Sequence, residues 1–481
     1  MIGTAAEIQR PWRELIDEPL STDQQGPDRS SLSDDVRLNV LLFCDEHSRH
    51  IGTVEDHIQA MVRQSRHNVL PLDARGAGTI DVDLDRFDVI ITHYSVAIGL
   101  PGPLPLPIAE KLKAFTGLKM AFLQDEYRWI DDSAAAIRDL GIKVLFTVTN
   151  PEVTRTIYHH PWFDDIRIEH TLTGFCPEPL LDQKVPRFEK RPIDIGYRAR
   201  KVPNWLGEAS QEKWTIGERF KVDAPAYGLT SDISSREQDR LYGDHWIKFL
   251  SRCKAVLGTE SSISAFDFDG SLKEKIEAYE REHPDVSFAE LKERFLAGID
   301  GCHGTISVVS PRVFEAAALK TLMILYPGNY SGVLEPWRHY VPLARDHGNM
   351  PEVAETLKSQ ARVSEITECC YLEVARSGRW GYNSFAAHFD RVIDEVAVAR
   401  TSMPVPVTEA DGWQRQIKAK LRREARRVAL SQFFVKSSRR AAAFVNEDLP
   451  APVAQCVKWL GRPIYRAMRY IARRTFLPRS T

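Results

Sequence analysis

The chain of 481 residues is poor in cysteine and has no long apolar run. Its seven cysteines are odd in number and form no C-x-x-C pair, which argues against a disulfide framework or a structural zinc site. No apolar stretch approaches the roughly 20 residues of a membrane-spanning helix, and the polar segment 1–35 lacks the apolar core of a secretory signal. With 43% hydrophobic and 27% charged residues, the composition predicts a globular protein of a reducing cytosol.

Apolar, β-prone runs alternate with helical segments along two stretches of the chain. The predicted strands of the first stretch are Arg37 to Asp45, Asn68 to Leu72, Phe87 to His93, Lys119 to Gln124, Lys143 to Val148 and Ile168 to Leu172. After a proline-punctuated crossing, Pro177 to Pro192, the second stretch has strands at Ile193 to Tyr197 and Ala255 to Gly258 and around Ser307 and Leu322. Such alternation implies right-handed βαβ units. We predict an α/β fold with two doubly wound Rossmann-like domains, 36–185 and 186–400, that face a cleft.

The two ends of the chain are expected to differ from this body. Residues 1–35 are polar and contain prolines, so we expect them to be disordered, and residues 401–481 read as a basic helical tail. From 412 to 481 there are 17 lysines and arginines against 3 acids, a net +14, so the rest of the chain carries −16 of the total of −2. Because aromatic residues such as Phe433 and Trp459 interrupt the basic ones, the tail favours an anionic membrane surface over nucleic acid or a solvated appendage.

The segment from Gly304 to Gly332 carries the strongest chemical signal. A short β-prone run meets Ser310 and Pro311, a pair that predicts a helix start with a capping hydroxyl and a proline at the first helical position. The helix then places Arg312 and Glu315 on one face. A helix start of this kind presents free backbone N–H groups to an anion, and an arginine beside it can clamp a phosphate.

The stretches SPRVFEAAALKTLMILYPGNYSG, DIGYRARKVPNWLGE and VLGTESS resemble GT-B glycosyltransferases of the group 1, family-4-like and spore-maturation-protein-like kind. The resemblance implies that Glu315 holds the ribose of a nucleotide sugar and that the loop of Tyr330, Ser331 and Gly332 lies near its diphosphate. The first glutamate of the family's E-x7-E pattern is replaced by Ser307. Whether the transferred sugar keeps its anomeric configuration is therefore left open.

Two other segments are expected to take part in donor binding. Arg198 and Arg200 follow a glycine-containing strand, which is a suitable seat for a diphosphate. Glu260 and Ser261 follow the next predicted strand and are expected to face the cleft. The D-x-D run from Asp267 to Asp269 resembles the cation site of GT-A enzymes, but it lies in the wrong part of the chain for that fold, so we expect no metal and no cofactor.

Polar clusters also follow strands of the first domain, where an acceptor would bind. His47, His93 and Glu126 are the candidate general bases for an acceptor hydroxyl, because each comes directly after a predicted strand. A structural role remains the alternative for each of them.

Together these features predict a metal-independent glycosyltransferase that moves a sugar from a nucleotide-activated donor to a saccharide or lipid-linked acceptor of the cell envelope. It would be cytoplasmic, with the segment 412–481 at the inner face of a membrane and no nucleic acid as partner. A non-catalytic nucleotide-sugar or glycan-binding protein of the same fold is the alternative. An NAD-dependent oxidoreductase is a weaker reading, because no G-x-G-x-x-G run follows the first strand, Leu38 to Cys44.

Overall fold

The computed structural model describes residues 36–77, 82–100, 102–398, 405–409, 411–420, 422–423 and 426. The first domain contains a parallel sheet of the strands β1 (Asn39–Cys44), β2 (Asn68–Asp73), β3 (Val89–Thr92), β4 (Leu118–Leu123), β5 (Val144–Thr147) and β6 (Arg167–His170). The strands are hydrogen bonded in the order β2-β1-β3-β4-β5-β6. Every residue of β1, β3 and β5 is buried, as expected for parallel strands covered on both faces. The predicted α/β sheet of this domain is confirmed.

The helices of the first domain connect its consecutive strands. They are α1 (Gly52–Gln64), α2 (Leu106–Ala114), α3 (Ile130–Leu140) and α4 (Pro151–Ile157), with a single turn at Ala74–Ala77 after β2. On α1 the apolar residues Val54, Ile58 and Met61 recur at helical spacing and are buried. The opposite face of α1 is polar and does not pack in the hydrophobic core.

The second domain has its own parallel sheet, which contains β7 (Ile193–Arg198), β8 (Ser231–Ser234) and β9 (Cys253–Gly258). A separate antiparallel pair follows, β10 (Ser261–Ile263) and β11 (Ile306–Val308), and the chain returns to the sheet with β12 (Leu322–Leu325) and β13 (Val341–Pro342). The order of the parallel sheet is β13-β12-β9-β7-β8. The prediction that the strand around Ser307 joins this sheet is wrong, because β11 pairs with β10 instead.

The longer helices of the second part of the chain are α5 (Glu208–Asp223), α6 (Gly243–Arg252), α7 (Ser271–Glu282), α8 (Pro311–Ala318), α9 (Met350–Lys358), α10 (Gln360–Cys370) and α11 (Tyr382–Val396). The helix α8 begins at Pro311, as the sequence predicts. Its N-cap, Ser310, makes no hydrogen bond with its side chain, so the predicted capping hydroxyl is wrong. The hydroxyl of Ser310 is instead part of a pocket wall.

The chain passes between the two domains twice, and the two crossings lie side by side. The backbone N–H of Cys176 donates to the carbonyl of Trp380 at 2.7 Å, and Cys176 pairs with Gly381 in an isolated parallel bridge. The helix α11 then packs on the first domain, where Asp390 accepts a hydrogen bond from the backbone N–H of Arg66 at 2.8 Å. The last helix of the predicted second domain, 186–400, therefore lies on the first domain.

The predicted disordered segment 1–35 and most of the basic tail 401–481 lie outside the described residues. Within the tail, residues 411–420 are helical, which agrees with the prediction for that part. Among the helices that the structure describes, none is both long enough and apolar enough to cross a membrane.

Candidate active site

A pocket of about 860 Å³ lies between the two domains. The first domain contributes one face of α1, and the second contributes the end of β7, the segment 240–242 and the starts of α6 and α8. Charged residues are prominent in its lining. The cations are Arg63, Arg198, Arg200, Lys213, Arg240 and Arg312, and the acids are Asp56, Glu178, Asp244 and Glu315.

Three cations of the second domain meet on one wall of this pocket. Arg200 follows the end of β7, Lys213 lies on α5, and Arg312 lies in the first turn of α8. Burial and the charges of Arg312, Arg200 and Arg240 together lower the pKa of Lys213 to about 8, against a smaller opposite effect of Asp125. Arg200 is exposed and makes no hydrogen bond or ion pair with any residue that the structure describes. The wall thus carries more positive charge than the protein itself neutralises.

Arg312 is held in place by two neighbours. Its guanidinium donates to the backbone carbonyl of Arg198 and lies over the ring of Trp246, 4.8 Å from the ring centroid. Both contacts leave the charge of Arg312 without a carboxylate partner. The first turn of α8 adds free backbone N–H groups at the same place, so this corner of the pocket suits an anion.

Arg198 lines the pocket as the sequence predicts, but its charge is already compensated. It donates to the side chain and the backbone carbonyl of Asp232, both at 2.7 Å, and packs on the ring of Phe249. The contribution of Arg198 to the binding of an anion is therefore smaller than that of Arg200.

Glu315 faces the pocket beside Arg312, and both were predicted from the sequence as donor-binding residues. The indole N–H of Trp246 donates to Glu315 Oε2 at 2.7 Å, which fixes the carboxylate and leaves its other oxygen available. Burial raises the pKa of Glu315, the hydrogen bond from Trp246 and the charge of Arg312 act in the opposite sense, and the charge of Asp56 adds to the increase.

The opposite wall is the polar face of α1. Thr53, Asp56, Gln59 and Arg63 follow one another at helical spacing along it. Asp56 makes no hydrogen bond or ion pair with the residues that the structure describes, although it is close enough to Glu315 for their charges to interact. No local motif pointed to Asp56, Lys213 or Trp246, because each lies within an ordinary helix.

Neither Glu260 nor Ser261 is part of the pocket lining. Glu260 accepts a hydrogen bond from the backbone N–H of Tyr330 at 2.7 Å. Ser261, in β10, accepts one at 3.5 Å from the ammonium group of Lys213, which does line the pocket. Tyr330 and Ser331 are buried and Gly332 is exposed, and none of the three lines the pocket. The carboxylate of Glu260 therefore occupies the loop at which a diphosphate was expected.

The candidate bases from the sequence do not line the pocket either. Glu126 is buried and accepts hydrogen bonds from the hydroxyls of Thr147, Thr149 and Tyr158, and burial raises its pKa. His93 is buried against His57, with 3.0 Å between His57 Nδ1 and His93 Nε2, and burial lowers the pKa of His93. These contacts give Glu126 and His93 structural roles. His47 is exposed in the turn Glu46–His50, away from the pocket lining.

The D-x-D run has a structural explanation. The two carboxylate oxygens of Asp267 accept hydrogen bonds from the backbone N–H groups of Leu272 and Lys273 at 3.2 and 3.1 Å, in the first turn of α7. Asp269 accepts from the backbone N–H of Ser271 at 2.9 Å. Both acids thus satisfy free donors at a helix start. Within the described part of the chain, no group of three or more His, Cys, Asp or Glu side chains is arranged to hold a metal ion.

No protein-family description and no curated protein sequence matches the chain. Among solved structures, it is similar to an alpha-glucosyltransferase in complex with UDP-glucose and DNA containing an abasic site, with 8% identity, 75% of this chain and 99% of that chain covered, and a TM-score of 0.45. It is also similar to the DNA-modifying enzyme beta-glucosyltransferase, with 11% identity, coverage of 75% and 100%, and a TM-score of 0.40. An alpha1,3-fucosyltransferase gives 9% identity, coverage of 79% and 96%, and a TM-score of 0.36.

At such identities and scores no conclusion about family, activity or substrate follows from the likeness. The structure itself shows two α/β domains with parallel sheets and a pocket between them.

Proposed function

We propose that the chain is a glycosyltransferase that transfers a sugar from a nucleotide-activated donor to an acceptor in the interdomain pocket. The observation that carries this proposal is the wall of Arg200, Lys213 and Arg312, whose charge the protein does not neutralise. A nucleoside diphosphate supplies the missing negative charge. The same cations stabilise the diphosphate as it leaves, which is the task that a metal ion performs in metal-dependent transferases.

The neighbouring side chains fit the rest of a nucleotide sugar. Glu315, fixed by Trp246, can accept hydrogen bonds from the hydroxyls of a sugar or a ribose beside the diphosphate. Tyr242 lies in the same pocket with its ring half exposed, so a nucleobase can stack on it. The pocket volume of about 860 Å³ is within the range of small-molecule sites.

We place the acceptor at the wall that the polar face of α1 forms. The polar face of α1 offers an amide, a hydroxyl, a carboxylate and a guanidinium, a set of groups that suits a saccharide. We propose a saccharide or lipid-linked acceptor of the cell envelope, with the basic segment 412–481 at the cytoplasmic face of a membrane. Flotation of the full chain with anionic vesicles tests the membrane part of this proposal. Because two of the similar structures are DNA glucosyltransferases or contain DNA, a DNA- and RNA-binding assay should accompany it.

Calorimetric titration of the full chain with UDP, GDP, dTDP and ADP, with and without EDTA, tests the donor site. At least one nucleotide should bind in EDTA. An anion beside Lys213 should raise its pKa from about 8, so binding at pH 8 should take up protons, and the measured enthalpy should depend on the buffer. Arg312→Ala should lose binding, whereas Lys221→Met, on the same helix as Lys213 but outside the pocket, should not. Absence of binding to all four nucleotides, or strict dependence on Mn²⁺, contradicts the proposal.

A non-catalytic nucleotide-sugar or glycan-binding protein is the second candidate. The observation that favours it is Ser307, which replaces the first family glutamate and lies in β11, its hydroxyl 3.0 Å from that of Ser262. Release of UDP from a sugar donor by the wild-type chain, lost in Glu315→Ala and Arg312→Ala, rules this candidate out. Nucleotide binding without any release of sugar supports it.

A further inference from the structure

Two acids of the pocket, Asp56 and Asp244, make no hydrogen bond or ion pair with the described residues, and of these two only Asp56 lies on the first domain. Asp56 lies on α1, on the wall opposite Lys213 and Arg312, and it has no hydrogen-bond or ion-pair partner among the described residues. Its neighbour Glu55 points elsewhere, because Glu55 Oε1 accepts from Arg49 at 2.7 Å and from Gln59 at 2.9 Å. A carboxylate that the protein leaves unpaired in a substrate pocket is available to take a proton.

The surroundings of Asp56 favour this use. Asp56 is exposed to the pocket, and partial burial together with the charge of Glu55 raises the pKa of its carboxylate. The other titratable groups that it influences are Tyr94, Tyr382 and Glu315, each of whose pKa values it raises. A raised carboxylate pKa strengthens a general base.

We propose that Asp56 is the general base that deprotonates the acceptor hydroxyl, and that the reaction inverts the anomeric carbon. This inference rests on the proposed glycosyltransferase function. The acceptor oxygen gives its proton to the carboxylate of Asp56 and forms a bond to the anomeric carbon. The bond from that carbon to the phosphate oxygen breaks, and its electron pair leaves with the nucleoside diphosphate towards Arg312 and Lys213.

The proposed inversion is the outcome expected of a single in-line displacement. The base is on the first domain and the cations that would hold the leaving group are on the second, an arrangement that allows the acceptor to attack from the side opposite the departing diphosphate. A single in-line displacement between opposite walls reverses the configuration at carbon, as in glycosidases whose base activates a water on the far face of the sugar.

Water serves as a simple acceptor for the test. The full chain is incubated with UDP-, GDP-, dTDP- or ADP-α-D-glucose, nucleoside diphosphate release is measured, and the first glucose released is observed by proton NMR before mutarotation. We expect β-glucose. Asp56→Asn should reduce release at least about 100-fold, with nucleotide affinity within twofold of wild type by calorimetry, and Asp56→Glu should recover part of the rate.

Asp132→Asn is the matched control, because it makes the same change at an exposed aspartate of α3 outside the pocket, and its rate should stay within twofold of wild type. First-formed α-glucose, full activity of Asp56→Asn, or binding of a nucleotide without any release by the wild-type chain overturns the inference. If none of the nucleotides binds at all, the donor site itself, and with it the proposed function, has failed.

Discussion

Replacing Lys213 with methionine should make the protein more stable while it weakens nucleotide binding. In the unfolded chain the ammonium group has a pKa near 10.5, and in the folded protein burial and three arginines lower it to about 8. A folded-state pKa below the unfolded one means that the protonated lysine destabilises the fold. The difference corresponds to about 3 kcal/mol as an upper limit, because part of the side chain faces the open pocket.

The sign of this effect depends on pH. Below pH 8 both states of the protein carry the proton and the destabilisation is complete, whereas between pH 8 and about 10.5 the folded protein loses the proton first and the destabilisation disappears. Thermal denaturation of Lys213→Met should therefore show a higher Tm than wild type at pH 7 and little difference at pH 10.

Binding should change in the opposite direction. Loss of one charge-assisted hydrogen bond to a diphosphate, about 1.5–3 kcal/mol, should weaken nucleotide affinity by about one to two orders of magnitude. Lys221→Met is the control, since Lys221 lies on the same helix and is paired with Glu218; its Tm should be unchanged or slightly lower. A lower Tm of Lys213→Met at pH 7, or an increase that persists unchanged at pH 10, would refute the reasoning.

Three further substitutions test other parts of the structure. Trp246→Phe removes the indole N–H that donates a hydrogen bond to Glu315, so the free energy of unfolding should fall by about 1–3 kcal/mol. Nucleotide binding measured by calorimetry should also become weaker. Asp390→Ala removes the acceptor that joins α11 to the first domain and should lower the free energy of unfolding in urea by about 1–3 kcal/mol; unchanged stability would contradict the contact. Gly196→Ala places a methyl group 2.2 Å from the sulfur of Cys253 and should lower the Tm, and a second change of Cys253 to alanine should restore part of it.

The strands β1, β3 and β5 of the first domain were predictable because each is a continuous apolar run that is buried in the fold. The strand β8 was not, because its sequence, Ser231 to Ser234, is polar and lies at an exposed sheet edge. The strand β11 was found, but its partner was not, since local pattern does not tell which sheet a strand joins. The position of α11 depends on contacts between residues more than 300 apart in the chain.

The residues of the candidate site were also predictable only in part. Arg312 and Glu315 share one helical turn and a local motif, so the sequence placed them together correctly. Asp56 and Lys213 lie on amphipathic helices of different domains, and only the packing of the two sheets brings them to one pocket. Glu126 failed as a candidate because the position of a residue after a strand does not determine whether its side chain turns towards the cleft or into the core.

The return of α11 to the first domain has a consequence for synthesis on the ribosome. The ring of Phe385 on α11 packs at a tilt against His57 and lies near Phe122, with 4.4 and 6.1 Å between ring centroids, so it covers apolar surface of the first domain. The partners Ser65 and Asp390 are separated by 325 residues, which at 5–20 residues per second means a delay of roughly 15–65 s. During translation this surface of the first domain must therefore stay uncovered until α11, near the end of the second domain, has emerged from the ribosome.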